Sequence, residues 1–471
     1  MCSTRLLPIL TAAILVASAS LTFAQNAYVE TDLVCNPGYY KSKGFSPQNE
    51  PHLIQDENMR DAWGIALRPP GAGGHIWIDN ATSGTSVEYI GDVNGIPLHQ
   101  DGLKSVTLDL PRWTDHGYAF VTGLAYNSAA DLKGQPVEFP VSGPANNYST
   151  TPPTPIPGGT SGSAAFAFVT EDGCVNAWRA NTKVAMTSAP IMVDYSKTSS
   201  QTLYRANCVF SGAAMTVNAY DTPAYTKAGG NHLFATDFRN NAIEVFDNQW
   251  KDVTSSYHFQ TPSDVGELHV FNIIDLAGHL YVAYAKFSTN SDEGMEEEDG
   301  LGKGFGHIVE YNEDGTLVKD FNDKGMLNAP WGLALAPAKF GSFGGDLLVA
   351  NLGDGTIAAF DPTTGNYVDE LKDGWGHVIQ IDRLWGLTFG NGVSLGDANS
   401  LYFTAGPNNE YDGLFGKLTV ASPLPFAPLV LAIVIFLLGA AWAVWKRQKS
   451  SVSLLPARTS PGVYLHQPVE K

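Results

Sequence analysis

Short runs of alternating apolar and polar residues recur along the chain, and helical periodicity is almost absent before residue 426. Three runs share a Trp-Gly pair between aliphatic residues, at positions 62–66, 330–334 and 384–388, and residues 121–125 are a weaker fourth copy. Short alternating segments predict β-strands, and their repetition predicts a repeat architecture.

A second pattern follows these runs: a strand, a tight turn of Asn, Asp and Gly, and another strand, at residues 74–89, 232–246 and 346–360. Such turns join antiparallel strands into hairpins. A strand, a hairpin and a variable fourth strand make one blade of a β-propeller. Six blades are predicted, with seven as the alternative, and their first strands begin near Trp63, Gly123, Val209, Asn272, Trp331 and Trp385.

The last predicted blade supplies only three strands, whereas residues 27–34 alternate before the first blade. Pairing this N-terminal strand into the last blade would leave no open edge at the seam. Residues 136–163, dense in Pro, Gly, Ser and Thr, predict an extended loop, and residues 291–304 predict another. The predicted fold class is therefore all-β, a six-bladed propeller closed by its N-terminal strand.

Both ends of the chain carry targeting patterns. A basic start and an apolar run ending at Ala24 predict a cleaved signal peptide, with an uncleaved anchor as the alternative. Residues 426–445 carry no charge and are followed at once by basic residues. This predicts a transmembrane helix with the propeller on the extracytoplasmic side. A buried core helix and a processed sorting tail are the alternatives.

The predicted organisation is a signal peptide (1–24), a propeller (25–420), a short linker (421–425), a transmembrane helix (426–445) and a cytoplasmic tail (446–471). The formal charge of −19 argues against nucleic acid as a partner, because it repels phosphate backbones. Cys35, Cys174 and Cys208 would remain after cleavage, and an oxidising compartment permits one disulfide among them without specifying the pair.

Two stretches of the chain carry a resemblance to known repeats. The turn from Thr236 to Ile243 is similar to the NHL-type propeller repeat. Residues 327–337, 340–344, 351–355, 381–387 and 402–407 resemble an uncharacterised exported-protein family. Some members of that family end in a PEP-CTERM type sorting segment, although this chain has no Pro-Glu-Pro before its helix. The resemblance implies an NHL-like propeller and assigns no reaction.

Loops that enter the innermost strands of a propeller converge on one mouth of the central channel. Asp61, Asn328 and Asp382 precede three of these strands, and His116 and Asn207 hold looser equivalents in the second and third blades. Carboxylate and amide oxygens suit Ca²⁺, so Asp61, Asn328 and Asp382 are the candidate metal ligands. The alternative is that these residues cap strand ends.

Other features favour structural roles. The repeated Trp residues could form an aromatic floor for a flat ligand, but packing between blades is the preferred interpretation. The acidic run at residues 292–299 lacks the ligand spacing of an EF-hand and is typical of a solvated loop. Motifs of serine hydrolases, zinc proteases and nucleotide-binding proteins are absent.

Two functions remain open at this stage. The first is a membrane-anchored, extracytoplasmic binding module for an unknown ligand or protein partner. The second is a Ca²⁺-dependent hydrolase or lyase, similar to propeller lactonases, that uses the channel mouth.

Overall fold

The computed structural model describes residues 26–69, 73–111, 117–131, 136–181, 183–196, 210–215, 231–287 and 301–421, with isolated helical positions at 439, 442–444 and 446. The predicted signal peptide and nearly all of the predicted membrane helix lie outside these residues. Within the described part of the chain, no helix is both long and apolar enough to cross a bilayer. The chain divides into two compact units, Met1–Val420 and Ala421–Lys471, and the account below concerns the first.

The described residues of the first unit are mainly β-structure. The chain begins with β1 (Tyr28–Cys35), a short helix α1 (Pro37–Ser42) and β2 (Ile54–Gln55). Short 3-10 turns occur at Ala81–Ser83, Ser128–Asp131, Thr254–Ser256, Ser263–Val265 and Gly341–Phe343.

The first sheet contains β3 (Ala62–Ala66), β4 (Ile76–Asn80), β5 (Thr85–Tyr89) and β6 (Ser105–Leu108). The second sheet starts with β7 (Val121–Tyr126), and an insertion follows with β8 (Pro140–Gly143), β9 (Ala145–Asn147), β10 (Thr154–Pro155) and β11 (Thr160–Ser163). It continues with β12 (Phe166–Thr170), β13 (Cys174–Trp178) and β16 (Ile191–Asp194). Strand β14 (Val184–Met186) pairs with β9 of the insertion, and β15 (Ser188–Ala189) pairs in parallel with β6 at the edge of the first sheet.

Four further sheets follow. The third contains β17 (Phe210–Met215), β18 (Leu233–Asp237) and β19 (Ala242–Phe246). The fourth contains β20 (Leu268–Leu276), β21 (His279–Lys286), β22 (Gly306–Tyr311) and β23 (Leu317–Asp320). The fifth contains β24 (Pro330–Leu335), β25 (Leu347–Asn351), β26 (Ile357–Phe360) and β27 (Tyr367–Glu370), and the sixth begins with β28 (Leu384–Phe389), β29 (Leu401–Ala405) and β30 (Leu414–Val420).

Consecutive strands pair in antiparallel order within these sheets, as expected for propeller blades. All six predicted first strands are present, as β3, β7, β17, β20, β24 and β28. Each first strand contacts the first strand of the next sheet, and β28 contacts β3. The N-terminal strand β1 pairs antiparallel with β30, as its alternating pattern predicts, so the last sheet takes its outer strand from the start of the chain.

The insertion departs from the prediction of an extended loop over residues 136–163. Strands β9, β10 and β14 form one small sheet, and β8 and β11 form another. These strands have only two to four residues each. In segments this short, the Pro and Gly content hides the alternation from which strands are predicted.

The Trp-Gly pairs explain how the first strands approach one another. A Cβ atom on Gly332 would lie 2.3 Å from the Trp385 carbonyl oxygen, and one on Gly386 would lie 2.7 Å from the Trp63 carbonyl oxygen. Carbon and oxygen atoms that are not bonded cannot approach so closely. Glycine is therefore required where the backbones of neighbouring first strands meet.

Candidate functional site

An aromatic cluster lies where the first strands converge. The Trp63 and Trp385 rings stack with their centroids 3.4 Å apart, and Trp331 packs edge-on against them at 6.0 and 5.8 Å. Phe120 and Phe271 complete this group, which we call the aromatic plug. Four of its members lie in the first strands of four different sheets, and Phe120 directly precedes the first strand of a fifth, so the plug lies where the first strands meet.

The plug is closed to solvent. Trp63 and Trp385 are fully buried, and Trp331 is 4% exposed. The repeated Trp residues therefore pack the sheets together, which was the preferred interpretation, and they offer no open aromatic floor. A ligand at this end of the described structure would lie beside the plug and could not pass through it.

Asp61 is placed at the edge of the plug. Its φ is +47°, its side chain is buried, and its Oδ1 accepts a 2.8 Å hydrogen bond from the Trp63 indole Nε1. Its backbone N–H donates to the Asp412 carbonyl oxygen at 2.9 Å. Asp61 therefore fixes the orientation of one ring of the plug and joins two loops at the mouth.

The structure revises the register of the other two candidate ligands. The residues with positive φ directly before the first strands are Asp61, Ala329 (φ +49°) and Arg383 (φ +52°). Asn328 and Asp382 stand one residue earlier, so they are not the structural equivalents of Asp61. Asp61 stands two residues before its Trp, whereas Asn328 and Asp382, the nearest residues with an amide or carboxylate oxygen in their loops, stand three residues before theirs.

Asn328 and Asp382 both form hydrogen bonds with loop backbone. Asn328 Oδ1 accepts a 2.7 Å hydrogen bond from the Gly302 N–H. Asp382 is exposed, and its Oδ2 accepts a 3.0 Å hydrogen bond from the Asn408 N–H. Both hydrogen bonds are of the kind that the capping alternative describes, and a metal-ligand role for Asn328 and Asp382 stays a prediction. His116 and Asn207 lie outside the described residues, so their positions at the mouth stay predictions.

An ion pair beside Asp61 was not predicted. Arg383 Nη1 lies 3.6 Å from Glu410 Oε1, and both side chains are largely buried. A Cβ atom on Gly406 would lie 2.6 Å from Asp61 Oδ1 and 3.0 Å from Glu410 Cγ, so the two acidic side chains face the same glycine. Asp61, Arg383 and Glu410, which we call the mouth cluster, therefore meet at one end of the first and last sheets.

The loop that carries Glu410 holds an unusual backbone conformation. Asn408, Asn409 and Glu410 have φ values of +61°, +51° and +66°. Successive left-handed residues without glycine are costly and persist only where the surroundings hold them. Asp412 provides part of that hold, because its Oδ1 accepts a 2.7 Å hydrogen bond from Asn36 Nδ2.

The described residues were compared with the requirements of a metal site and of a disulfide. Within that part of the chain, no group of three or more His, Cys, Asp or Glu side chains is placed to share a metal ion. Cys35 and Cys174 are buried free thiols. Burial is the main cause that raises the pKa of Cys35 to about 12, and it also raises that of Cys174. Cys208 lies outside the described residues.

A buried carboxyl group lies between the first two sheets. Asp79 is fully buried, and the Ser86 side chain is a hydrogen-bonding neighbour of its carboxyl group. Ser86, which lies nearby, donates to the Ile78 carbonyl oxygen at 3.3 Å. Burial raises the pKa of Asp79 well above its usual value.

Threonine occupies the same position in two other sheets. Asp79, Thr236 and Thr404 are each the fourth residue of the second strand. The Thr236 hydroxyl lies 3.2 Å from two carbonyl oxygens and can donate to either, that of Gly212 in the first strand of its own sheet or that of Phe271 in the first strand of the next sheet. A protonated Asp79 has the same capacity to donate, and an ionised one does not.

Comparison with known proteins gives relatives without an assigned role. No protein-family model matches the chain. An uncharacterized protein of Acanthamoeba polyphaga mimivirus is 27% identical over 416 residues, which cover 82% of this chain and 87% of that protein. A second uncharacterized mimivirus protein is 34% identical over 192 residues, and the match spans 40% of this chain and about half of that relative, 49%.

Solved structures with some similarity include three enzymes. A gluconolactonase from Xanthomonas campestris has 13% identity and a TM-score of 0.34, covering 64% of this chain and 86% of that one. A virginiamycin B lyase from Staphylococcus aureus has 11% identity and a TM-score of 0.33, covering 83% and 98%. An α-L-arabinofuranosidase of Fusarium graminearum has 8% identity and a TM-score of 0.43, covering 77% and 95%. Identities and TM-scores this low assign no reaction to this chain. The propeller architecture is instead supported by the strand pairing of the chain itself.

Proposed function

We propose that this chain is a six-bladed β-propeller that acts as a binding module, with the mouth that the cluster of Asp61, Arg383 and Glu410 holds in shape as its recognition surface. The cycle of contacts among the six first strands supports the blade count. The observation that carries the proposal is the aromatic plug, because buried indole rings close the axis directly beside the cluster. Asp61 is buried, and Arg383 and Glu410 are 14% and 7% exposed, so a ligand would contact the exposed edge of this cluster and the loops that carry it.

The side chains of the mouth cluster are ordered before any partner binds. Arg383 and Glu410 are paired, so their side chains are fixed before a partner arrives. Groups that are ordered in advance lose little conformational entropy on binding.

The calcium-dependent hydrolase is tested by thermal unfolding of the full chain in EDTA and then with added Ca²⁺, beside the double variant Asp61→Asn, Asp382→Asn. A ligand that binds only the native state raises its stability. We expect curves that do not respond to Ca²⁺ and no turnover of a panel of lactones and esters. A calcium-dependent rise that the double variant loses, together with lactone hydrolysis, would replace the binding module with the enzyme.

A peptide array, probed with the wild type and with Arg383→Ala, tests whether the mouth is the binding surface. We expect a set of peptides that bind the wild type and lose their signal in the variant. Lys339→Ala is the control, because Lys339 is exposed and follows the far end of β24. Peptide signals that both variants retain equally would refute the assignment of the mouth.

The location of this module is also a proposal. The signal-peptide pattern before Ala24, the uncharged segment 426–445 and the basic residues after it support an extracytoplasmic propeller with one membrane anchor. Protease added to intact cells is expected to digest the propeller and to leave a small membrane-bound fragment. Full protection of the propeller would contradict this placement.

A further inference from the structure

A histidine lies between two carboxylates in the outer part of the fourth sheet. His307 is the second residue of β22, and its side chain is 8% exposed. Its Nε2 lies 2.5 Å from Asp320 Oδ1, and its Nδ1 lies 3.3 Å from Asp323 Oδ2. Asp320 ends β23 and Asp323 stands three residues later, so the imidazole contacts both a strand and the connection that follows it.

The protonated form of His307 is the form that satisfies both carboxylates. A neutral imidazole has one N–H group and one nitrogen lone pair, whereas an imidazolium has two N–H groups. Ionised carboxylates only accept hydrogen bonds, so a lone pair that faces one of them is unfavourable. The observed arrangement therefore requires a proton on each ring nitrogen.

The two carboxylates are the charged groups, among the described residues, that act on this imidazole. In the neighbouring strand β21, Tyr284 pairs with His307, and burial raises the pKa of Tyr284 well above its usual value, so its hydroxyl stays neutral. The cationic side chains of the surrounding segments have other contacts: Lys286 lies over the Phe305 ring, Lys303 pairs with Glu370, Lys319 pairs with Glu310, and Lys324 donates to the Tyr367 carbonyl oxygen.

The surroundings of His307 favour its charged form. Burial lowers the pKa of His307, but the hydrogen bonds and charges of Asp323 and Asp320 outweigh it and raise the pKa above its usual value. The unfolded chain has the ordinary histidine pKa of about 6.5. Below that pH both states hold the proton and the stabilisation is fully present. It is lost as the pH rises through the pKa of the folded state.

Asp323 also organises the turn that leads to β24. Its Oδ1 accepts a 2.5 Å hydrogen bond from the Gly325 N–H, and its carbonyl oxygen accepts one from the Met326 N–H at 3.0 Å. At the start of the turn, Asn322 exchanges backbone hydrogen bonds with the segment that begins β27. The contact with His307 therefore joins this turn to the fourth sheet.

The same turn continues into the mouth end of the fifth sheet. The Leu327 carbonyl oxygen accepts a 2.8 Å hydrogen bond from the Gly304 N–H. The Asn328 N–H donates to Asn351 Oδ1 at 3.0 Å, and Trp331 of the aromatic plug follows three residues later. Movement of the turn therefore changes the backbone that enters the plug.

We propose that His307, Asp320 and Asp323 form a pH-sensitive latch, which holds residues 322–327 against the fourth sheet while the imidazole is protonated and releases them when it loses its proton. The contact with Asp320 is the shorter of the two, so a neutral imidazole keeps its single N–H there and leaves Asp323. The turn then opens locally while the sheet stays folded. This inference goes beyond the proposed role of the mouth and does not depend on it.

The latch is tested by two measurements on the full chain between about pH 5.5 and 9. NMR titration of the His307 imidazole measures its protonation. Hydrogen exchange of the Met326 amide, corrected for the intrinsic pH dependence of exchange, measures opening of the turn. We expect His307 to titrate above about pH 6.5. The opening constant of the turn should rise by up to about tenfold per pH unit over that titration, because one proton is released.

Three variants separate the latch from simple packing. His307→Gln is expected to abolish the pH dependence of turn opening, because glutamine does not titrate. Asp323→Asn removes one carboxylate and is expected to lower the pKa of His307, so it keeps the test informative if His307→Gln fails to fold. His377→Gln is the matched control, because His377 is exposed and lies 3.2 Å from a single carboxylate oxygen, that of Asp373. It should keep the wild-type pH response.

Three results would overturn the proposal. The first is titration of His307 at or below about pH 6.5 in the wild type. The second is a pH response of the turn that His307→Gln leaves unchanged. The third is protection of the Met326 amide that stays constant while His307 loses its proton. Each of these measurements is made on the turn and its histidine, so none of them depends on whether the mouth binds a partner.

Discussion

Replacing Asp79 by Thr is expected to stabilise the protein at neutral pH. Thr236 and Thr404 show that a hydroxyl at this position donates to backbone carbonyl oxygens. A Cβ atom on Gly64 would lie 3.0 Å from the Thr122 carbonyl oxygen and 3.1 Å from Asp79 Oδ2, so an acceptor lies close to the carboxyl group. An ionised Asp79 cannot donate to it and is costly to bury.

The magnitude follows from proton linkage. The pKa of Asp79 is raised in the folded state, so the folded protein holds a proton that the unfolded chain releases above about pH 4. Between the unfolded and folded pKa values, the free energy of unfolding of the wild type falls by about 1.4 kcal/mol per pH unit. Asp79→Thr removes this contribution, so its advantage over the wild type grows as the pH rises.

The assay is urea unfolding of both proteins across the range from about pH 4.5 to 7.5. We expect the two proteins to be closest in stability at the lowest pH and farthest apart at the highest. Thr404→Asp is the reverse control and should introduce the same pH dependence in the last sheet. Parallel pH profiles for the wild type and Asp79→Thr would refute the argument that Asp79 is protonated in the folded protein.

Two further predictions concern packing and thiol chemistry. Gly386→Ala should lower the free energy of unfolding by about 1–3 kcal/mol in urea, because its Cβ would crowd the Trp63 carbonyl oxygen. The control is Gly374→Ala, whose Cβ would meet no atom within 4 Å and which should therefore stay close to wild type. Equal losses of stability in the two variants would contradict the close-packing argument. Cys35 and Cys174 should resist alkylation at about pH 8 until the protein is unfolded, because burial raises their pKa values. Peptide mapping that finds either cysteine labelled in the native protein would contradict their burial.

Much of the fold could be predicted because its signals are local. Alternation along each strand and the Asn, Asp and Gly of the turns appear directly in the sequence, and they located the six first strands and the hairpins. Trp63, Trp331 and Trp385 were correctly interpreted as packing residues. Their shared neighbour, glycine, marks the close approach of backbones that the structure explains.

The site could be predicted only in part, because its groups come together through tertiary packing. The place of Asp61 before a first strand makes it a candidate, and its role in binding stays a prediction. Arg383 and Glu410 lie on separate loops and form no motif, so their ion pair follows only from the fold.

The pairing of β1 with β30 has a consequence for the order of events during synthesis. Val34 faces Phe415 across this seam, so one of the first strands to leave the ribosome waits for one of the last. Bringing together chain positions so far apart costs an entropy equivalent to about 5 kcal/mol for a flexible loop, and contacts of this range slow folding. Until the seam forms, β1 is an unpaired edge that can attach to another chain. A nascent or truncated form that ends before β30 is therefore the species in which chaperone protection matters most.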